Sequence, residues 1–234
     1  YGKELKKDGL ELSLYDAVCS ALSVEGLQRL RLGSLESVEV EPKLLDLMAH
    51  EPRFAKQLHL PLQSGCDKIL EAMHRPYDTI KFKNLLHEIR KKVPGISITT
   101  DVIVGFPGET EEDFQTTLAF AKDCAFTKMH IFPYSKRKGT PAEVMPEQIE
   151  EKIKADRAAR LGEIDNLLVQ GALDNMVGKT VEVLFEQPVD EKNMEGLCSE
   201  YFRVIVPGSR ELSNKICSVK ITGTEEDALV GEII

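Results

Sequence analysis

The sequence has no run of about 18 apolar residues, which excludes a transmembrane helix. No signal-peptide pattern follows Tyr1, so the 234 residues read as a processed chain or a piece of a longer one. Paired-cysteine spacing is absent too. Cys19, Cys66, Cys124, Cys198 and Cys217 form neither CxxC nor CxxxCxxC. Such a scattered, odd set reads as reduced and mostly structural, in a cytoplasmic protein with no membrane partner. Positive charge is in deficit: 30 Lys and Arg stand against 39 Asp and Glu, for a net charge of −9. That argues against wholesale nucleic-acid coating and leaves room for a local basic patch. No nucleophile–base pair and no metal triad stands out, so no residue is assigned as catalytic and none as a metal ligand.

What is present is alternation. LQRLRLG (27–33), LHLPLQSG (58–65), ISITTDVIVGF (96–106) and KMHIFPYS (128–135) read as strands ending near Gly, Ser or Pro. Between them lie stretches of helical period: Pro42 to His50, Asp67 to Met73, Asp78 to Lys92, and Thr110 to Cys124, with Leu12 to Leu22 leading in. Alternating strand and helix predicts a parallel α/β architecture of about four units. Four units cannot close an eight-stranded barrel, and they suit an open sheet or a partial barrel.

Residues 99–110, TTDVIVGFPGET, concentrate the unusual features. Period two puts Ile98, Thr100, Val102 and Val104 on one face, and Thr99, Asp101, Ile103 and Gly105 on the other. FPGE fits a type II turn, with Pro at its second and Gly at its third position. Thr110 and Asp113 have the spacing of a capping box. The acidic first turn makes this helix end a poor phosphate site. A plain turn and a ligand-binding turn both fit, since α/β sites lie at the C-terminal ends of parallel strands.

Other strands place polar groups on the same rim. His59, Pro61 and Gln63 share a face, as do Arg29 and Arg31, and His130, Phe132 and Tyr134. Singly, each has a structural explanation, such as an inward Arg paired with Asp101. Together they favour a polar ligand across the sheet mouth.

LHLPLQSGCDKILEAMHRPYD, TTDVIVGFPGETEEDF and IFPYSKRKGTPA, in that order, resemble the radical S-adenosylmethionine (SAM) methylthiotransferases. HIFPYSKRKGTPA is most similar to the branch acting on N6-threonylcarbamoyladenosine in tRNA, beside the anticodon. The isopentenyladenosine branch and the branch modifying a ribosomal-protein aspartate are close relatives of it. The resemblance implies an open six-unit (β/α) barrel, preceded by a separate domain and followed by a small β-barrel, the TRAM domain. YGKEL resembles the segment after the second barrel strand, so this chain corresponds to units three to six. The family's CxxxCxxC is absent. Two 4Fe-4S clusters are therefore implied for the whole protein, with no ligands here, and the chain by itself is expected to be inactive, a SAM- and tRNA-binding module. The implied chemistry uses a 5′-deoxyadenosyl radical to abstract hydrogen, then adds sulfur and a methyl group. The cofactors perform the hard step. Implied partners are a tRNA anticodon stem-loop and an electron donor such as flavodoxin or ferredoxin. For SAM, Gln63 and Ser64 suit hydroxyls or the amino-acid moiety and Arg31 suits the carboxylate. Gly105 suits close approach of the adenine, and Phe132 an apolar wall. Asp101 either orients Arg31 or binds ligand.

After Pro141 the pattern changes. Residues 145–176 carry an apolar stripe of Ile149, Ile153, Leu161, Ile164 and Leu168, with Lys152, Lys154, Arg157 and Arg160 expected on a solvated face. Lys136, Arg137 and Lys138, beside the predicted mouth, suit a phosphate backbone. KTVEVLFEQ, SEYFRVIVPG, KICSVKITGT and LVGEII predict a small all-β barrel, and GLCSEYFRVIVPG resembles the TRAM pattern. The expected layout is thus residues 1–145 as the partial barrel, 146–176 as a connecting helix and 177–234 as the TRAM-like barrel. The last part has 6 Lys and Arg against 11 Asp and Glu. A modest local RNA contact is expected there, around Arg203, Arg210, Lys215 and Lys220. An exposed edge at 27–33 is expected to promote self-association.

Overall fold

The computed structural model describes residues 12–234; the YGKEL stretch lies outside them. Helices α1 (Leu14–Leu22) and α2 (Pro42–His50) precede a parallel sheet of β1 (Gln57–His59), β2 (Ser97–Val104) and β3 (Lys128–Pro133), in that order. The crossovers are α3 (Asp67–Ala72) with α4 (Thr79–Lys92), and then α5 (Glu111–Cys124). Each boundary has a local cause. Pro42 opens α2, where its missing N–H costs nothing. Asp78 caps α4 by accepting from Lys81 N at 2.7 Å. Thr110 and Asp113 form the expected capping box of α5.

Two strand expectations need correction. Residues 27–33 form no strand. Only isolated parallel bridges survive there, Leu30 with Phe54 and Ser34 with His59. The edge is not bare either, because Arg29 donates to the carbonyls of Leu197 (2.7 Å) and Glu182 (3.0 Å) in the C-terminal barrel. The second strand stops at His59 instead of running to 65. Pro61 has no N–H to continue the ladder, and pairing resumes only as a bridge between Gln63 and Val102.

The two faces of β2 behave as its alternation requires. Ile98, Thr100, Val102 and Val104 are buried, and Thr99, Asp101 and Ile103 are half-buried. The buried face joins Leu58, Leu60 and Leu62 in one core with Phe82, Leu86 and Ile89 of α4 and Phe114 and Ala121 of α5. Removal of these side chains from water is the main stabilising contribution to this half.

Helix α6 (Glu151–Asp174) runs from that core to the C-terminal barrel: Leu161 belongs to the first core and Leu173 to the second. Its charged face is not solvated as expected. Lys154 and Arg157 are 2% and 4% exposed, whereas Ile153 is 41% exposed. The long stems of Lys154 and Arg157 pack inside because their tips find partners. Lys154 Nζ donates to Tyr134 O at 2.9 Å and pairs with Glu151, and Arg157 meets Glu109.

Strands β4 (Thr180–Pro188), β5 (Asn193–Cys198), β6 (Arg203–Pro207), β7 (Ile216–Glu225) and β8 (Ala228–Ile233) close a barrel in the order β4-β5-β6-β8-β7. Strand β5 is additional to the expected strands. NMEGLC carries Gly196, a weak strand former. The structure supplies the reason for that glycine, since a Cβ there would overlap the Leu184 carbonyl of β4. Among the described residues, no helix is long and apolar enough to cross a membrane.

Candidate cofactor site

The segment after β2 folds as its glycines require. Gly105 and Gly108 have φ of +71° and +82°, and Glu109 N donates to Phe106 O at 3.0 Å across the turn. Glu109 then folds back. Its Oε2 accepts from Gly105 N and from Arg157 Nη1, both at 2.7 Å. Burial pushes the Glu109 carboxyl above the usual carboxylate range, against the opposing pull of Gly105 N and Arg157. This buried pair fixes the turn to α6. Sequence reasoning missed it, because Glu109 and Arg157 lie 48 residues apart with no shared motif.

That packing corrects the expectation for Gly105. The space that a Cβ would take is filled by Lys154 Cγ and not by open cavity. Ser64 also points away from the mouth. It is fully buried, with Oγ 3.3 Å from Thr117 Oγ1 and accepting from Cys66 N. Neither residue offers a ligand contact from its side-chain direction.

Of the remaining rim residues, all but Arg29 and Pro61 line two cavities that share Asp101 and Phe132. The one at the C-terminal strand ends has a volume of about 560 Å³ and includes Gln63, Arg75, Phe106, Tyr134 and Arg137. Gln63 is left-handed at φ 69°, held there by Gln63 N to Asp101 O and Ile103 N to Gln63 O, each 2.8 Å. A non-glycine residue in that region stores roughly 1–3 kcal/mol, a cost that persists where the surroundings enforce it. The residue is 9% exposed, and its side chain enters no hydrogen bond seen among the described residues. Tyr134 Oη and Arg75 Nε are also buried without partners among those residues. Two buried polar atoms beside this cavity thus lack partners among the described residues, although Arg75 Nη1 pairs with Glu36 at 3.4 Å, and Phe106 packs edge-on to Tyr134 with ring centroids 5.3 Å apart. Arg75 carried no signal in the sequence. Its place depends on the turn between α3 and α4.

The second cavity, about 680 Å³, lies between the inner face of the sheet and the C-terminal barrel. Arg31 is here, and it does not pair with Asp101. Its guanidinium stacks 4.1 Å from the Tyr201 ring centroid, and Nη1 donates to Gln57 Oε1 at 3.2 Å. Gln57 Nε2 donates to Thr99 Oγ1 (3.0 Å), which lies 2.9 Å from His59 Nδ1. Asp101 instead faces His59, with Nε2 and Oδ2 3.3 Å apart. His130 completes a group with His59 and Asp101 whose ligand atoms lie within 4.8 Å of one another. No such triad stands out in the sequence, because its members come from three separate strands.

Lys136, Arg137 and Lys138 are exposed just past β3, and among the described residues none has an ion-pair partner; Arg137 reaches the smaller cavity. Arg203 differs, being held by Glu195 (3.2 Å) and Asp227 (3.3 Å). The five thiols are free and dispersed over separate elements. Burial pushes Cys124 and Cys198 up to about 12, so neither is disposed to become a thiolate ligand. The cysteines of this chain do not fit an iron–sulfur cluster.

A parallel βα sheet with polar groups at its strand ends describes many enzymes, and comparison with known proteins narrows the class. Residues 24–121 match the family model described as the radical SAM superfamily. Among curated relatives the chain is 35% identical over 202 residues to the threonylcarbamoyladenosine tRNA methylthiotransferase of Bacillus subtilis, covering 85% of this chain and 45% of the relative. It is 35% identical over 234 residues to the tRNA-2-methylthio-N(6)-dimethylallyladenosine synthase of Campylobacter jejuni, covering all of this chain and 54% of that protein. The chain thus spans about half the length of these relatives. Among solved structures, coproporphyrinogen III oxidase from Escherichia coli aligns with a TM-score of 0.49 at 15% identity, over 83% of this chain and 46% of that one.

Proposed function

We propose that the chain is the SAM-binding part of a radical SAM methylthiotransferase acting on tRNA, and that the smaller cavity receives SAM. The observation that carries this reading is the meeting at one cavity of the Gln63 amide with Tyr134 Oη and Arg75 Nε, the last two buried without partners among the described residues, while Arg75 Nη1 pairs with Glu36 at 3.4 Å. Buried polar groups are rarely left unpaired without a functional reason. SAM matches their chemistry, with a carboxylate for Arg75, hydroxyls and an amine for Gln63, Tyr134 and Asp101, and an adenine for the wall of Phe106 and Phe132. Arg75 thereby takes the carboxylate role expected of Arg31. Bound SAM supplies the methyl group and the precursor of the hydrogen-abstracting species. The chain's own residues bind and orient it. Its cysteines hold no cluster, so no redox step is assigned to them, and the chain alone is expected to be catalytically inactive. The electron donor and both clusters belong to the reading of the whole protein. Lys136, Arg137 and Lys138, without ion-pair partners at the mouth, are suited to tRNA phosphates. Arg203, already held by two acids, contributes less. The finer assignment to N6-threonylcarbamoyladenosine rests on HIFPYSKRKGTPA (130–142). Dimethylallyladenosine is the second reading, favoured by the name of the Campylobacter relative at equal identity.

Calorimetric titration of the 234-residue chain with SAM tests the site. Arg75→Ala should weaken SAM by about 1.5–3 kcal/mol and Tyr134→Phe by about 0.5–1.5 kcal/mol. Methylthioadenosine, which lacks the carboxylate, should bind Arg75→Ala and the parent chain equally. Absence of SAM binding, or equal SAM affinity in all variants, rejects the assignment. For tRNA, replacing all three bases by Ala should flatten the salt dependence by roughly 0.9 in log–log slope for each duplex phosphate no longer neutralised. An unchanged slope would make the stretch a solvated loop.

A further inference from the structure

We propose that His59, Asp101 and His130 form a binding site for a divalent transition-metal ion on the inner wall of the sheet, adjoining the proposed SAM cavity through Asp101, which borders both cavities. The three residues occupy neighbouring positions on β1, β2 and β3: His59 pairs in register with Thr99, and Asp101 with His130. All three side chains face the larger cavity. Two imidazoles and one carboxylate make a donor set suited to zinc, iron(II), cobalt or nickel, and they leave further coordination positions open.

The spacing carries the argument. His59 Nε2 and Asp101 Oδ2 stand 3.3 Å apart. A charge-assisted N–H···O contact settles at about 2.7–2.9 Å. Two ligand atoms held at about 2.0–2.1 Å around a tetrahedral ion stand roughly 3.3–3.4 Å apart. The observed gap is compatible with two ligands of one ion, and the 4.8 Å limit that takes in His130 leaves that ring to close in. Behind His59, Nδ1 lies 2.9 Å from Thr99 Oγ1, an oxygen that already accepts from Gln57, whose amide is oriented by Arg31. With Nδ1–H donating to Thr99, Nε2 presents its lone pair to the ion, the outer-shell support usual for a metal-bound histidine. His130 is exposed, and its ring stands 5.6 Å from that of His59 without a side-chain hydrogen bond among the described residues. The proposal requires its side chain to move toward an ion between the other two, since the three ligand atoms lie within 4.8 Å of one another. The open positions face the 680 Å³ cavity, where water or an oxygen donor of a bound molecule completes the shell.

The 234-residue chain, purified without a histidine tag, should be titrated with Co²⁺ and read by its visible d–d absorption, and with Zn²⁺ against a chromogenic chelator. One ion per chain is expected at micromolar metal. His59→Gln, Asp101→Asn and His130→Gln should each weaken it by at least ~10-fold, and Thr99→Val by about 10-fold with the same cobalt spectrum. His130 is exposed, so its variant keeps the test valid should the others misfold. Lack of saturable binding, binding that His130→Gln leaves unchanged, or a thiolate-to-cobalt charge-transfer band would each overturn the site. His130 does not line the SAM cavity. Normal SAM affinity in His130→Gln therefore keeps the two proposals separable.

Discussion

The parallel sheet and the C-terminal barrel use their inner faces in opposite ways. In the barrel, β7 pairs back to β4, so no strand edge is left, and Val183, Phe185, Met194, Val204, Val206 and Val219 are fully buried. In the sheet, the face carrying Thr99, Asp101 and Ile103 is open and only half-buried, and it borders both cavities. The contrast separates a half whose inner face is packed shut from a half whose inner face opens on cavities. The barrel's inward apolar side chains are buried, its strand edges are paired, and its composition is acidic. The sheet leaves Gln63 strained and Arg75 Nε and Tyr134 Oη unsatisfied, and those costs persist where a ligand offsets them.

The contrast is tested most severely from the barrel side. Phe185→Ala should cost about 3–5 kcal/mol in denaturant unfolding, the range for a fully buried aromatic, and leave SAM affinity unchanged. A loss of SAM binding at temperatures where the sheet remains folded would mean that the two halves are not separable.

Arg157→Met attacks the joint between the halves. It abandons the buried Glu109 carboxylate, and breaking a buried pair costs about 3 kcal/mol or more. Adding Glu109→Gln should recover part of the loss. A double variant no more stable than the single one would show that the pair is not energetically coupled.

Gln63→Gly inverts the usual direction. Relief of the left-handed strain should stabilise the chain by about 1 kcal/mol while SAM binding weakens. A variant that loses both stability and binding would make Gln63 a packing residue.

The smallest effect concerns Asp113. Burial pushes its carboxyl up, but hydrogen bonds from Lys68 and Thr110 outweigh it and hold the value at about 2, against an ordinary 3.8. A carboxyl lowered by folding adds stability that is complete above the ordinary value and lost as pH falls toward 2. The gap in melting temperature between the parent chain and Asp113→Asn should therefore narrow from pH 4 to pH 2. A constant gap would assign the effect to lost packing alone.

Much of this organisation is legible in the chain itself. Period-two alternation separates the two faces of β2, and Pro42, Asp78 and Thr110 start their helices. Gly105 and Gly108 stand where positive φ is required. Each of these depends on chemistry within a few residues. Phe132 and Asp101 reached the cavities by the same logic. Other placements depend on long-range packing. Lys154 and Arg157 look like solvated charges until Tyr134 and Glu109 are brought against them. Arg31 finds Tyr201 far away in sequence and so leaves Asp101 to His59. Arg75 joins Gln63 and Tyr134 only because two strands and a helix turn meet at one mouth. Periodicity reports which way a side chain points, but whether it is buried, paired or left free depends on partners that only the folded chain supplies.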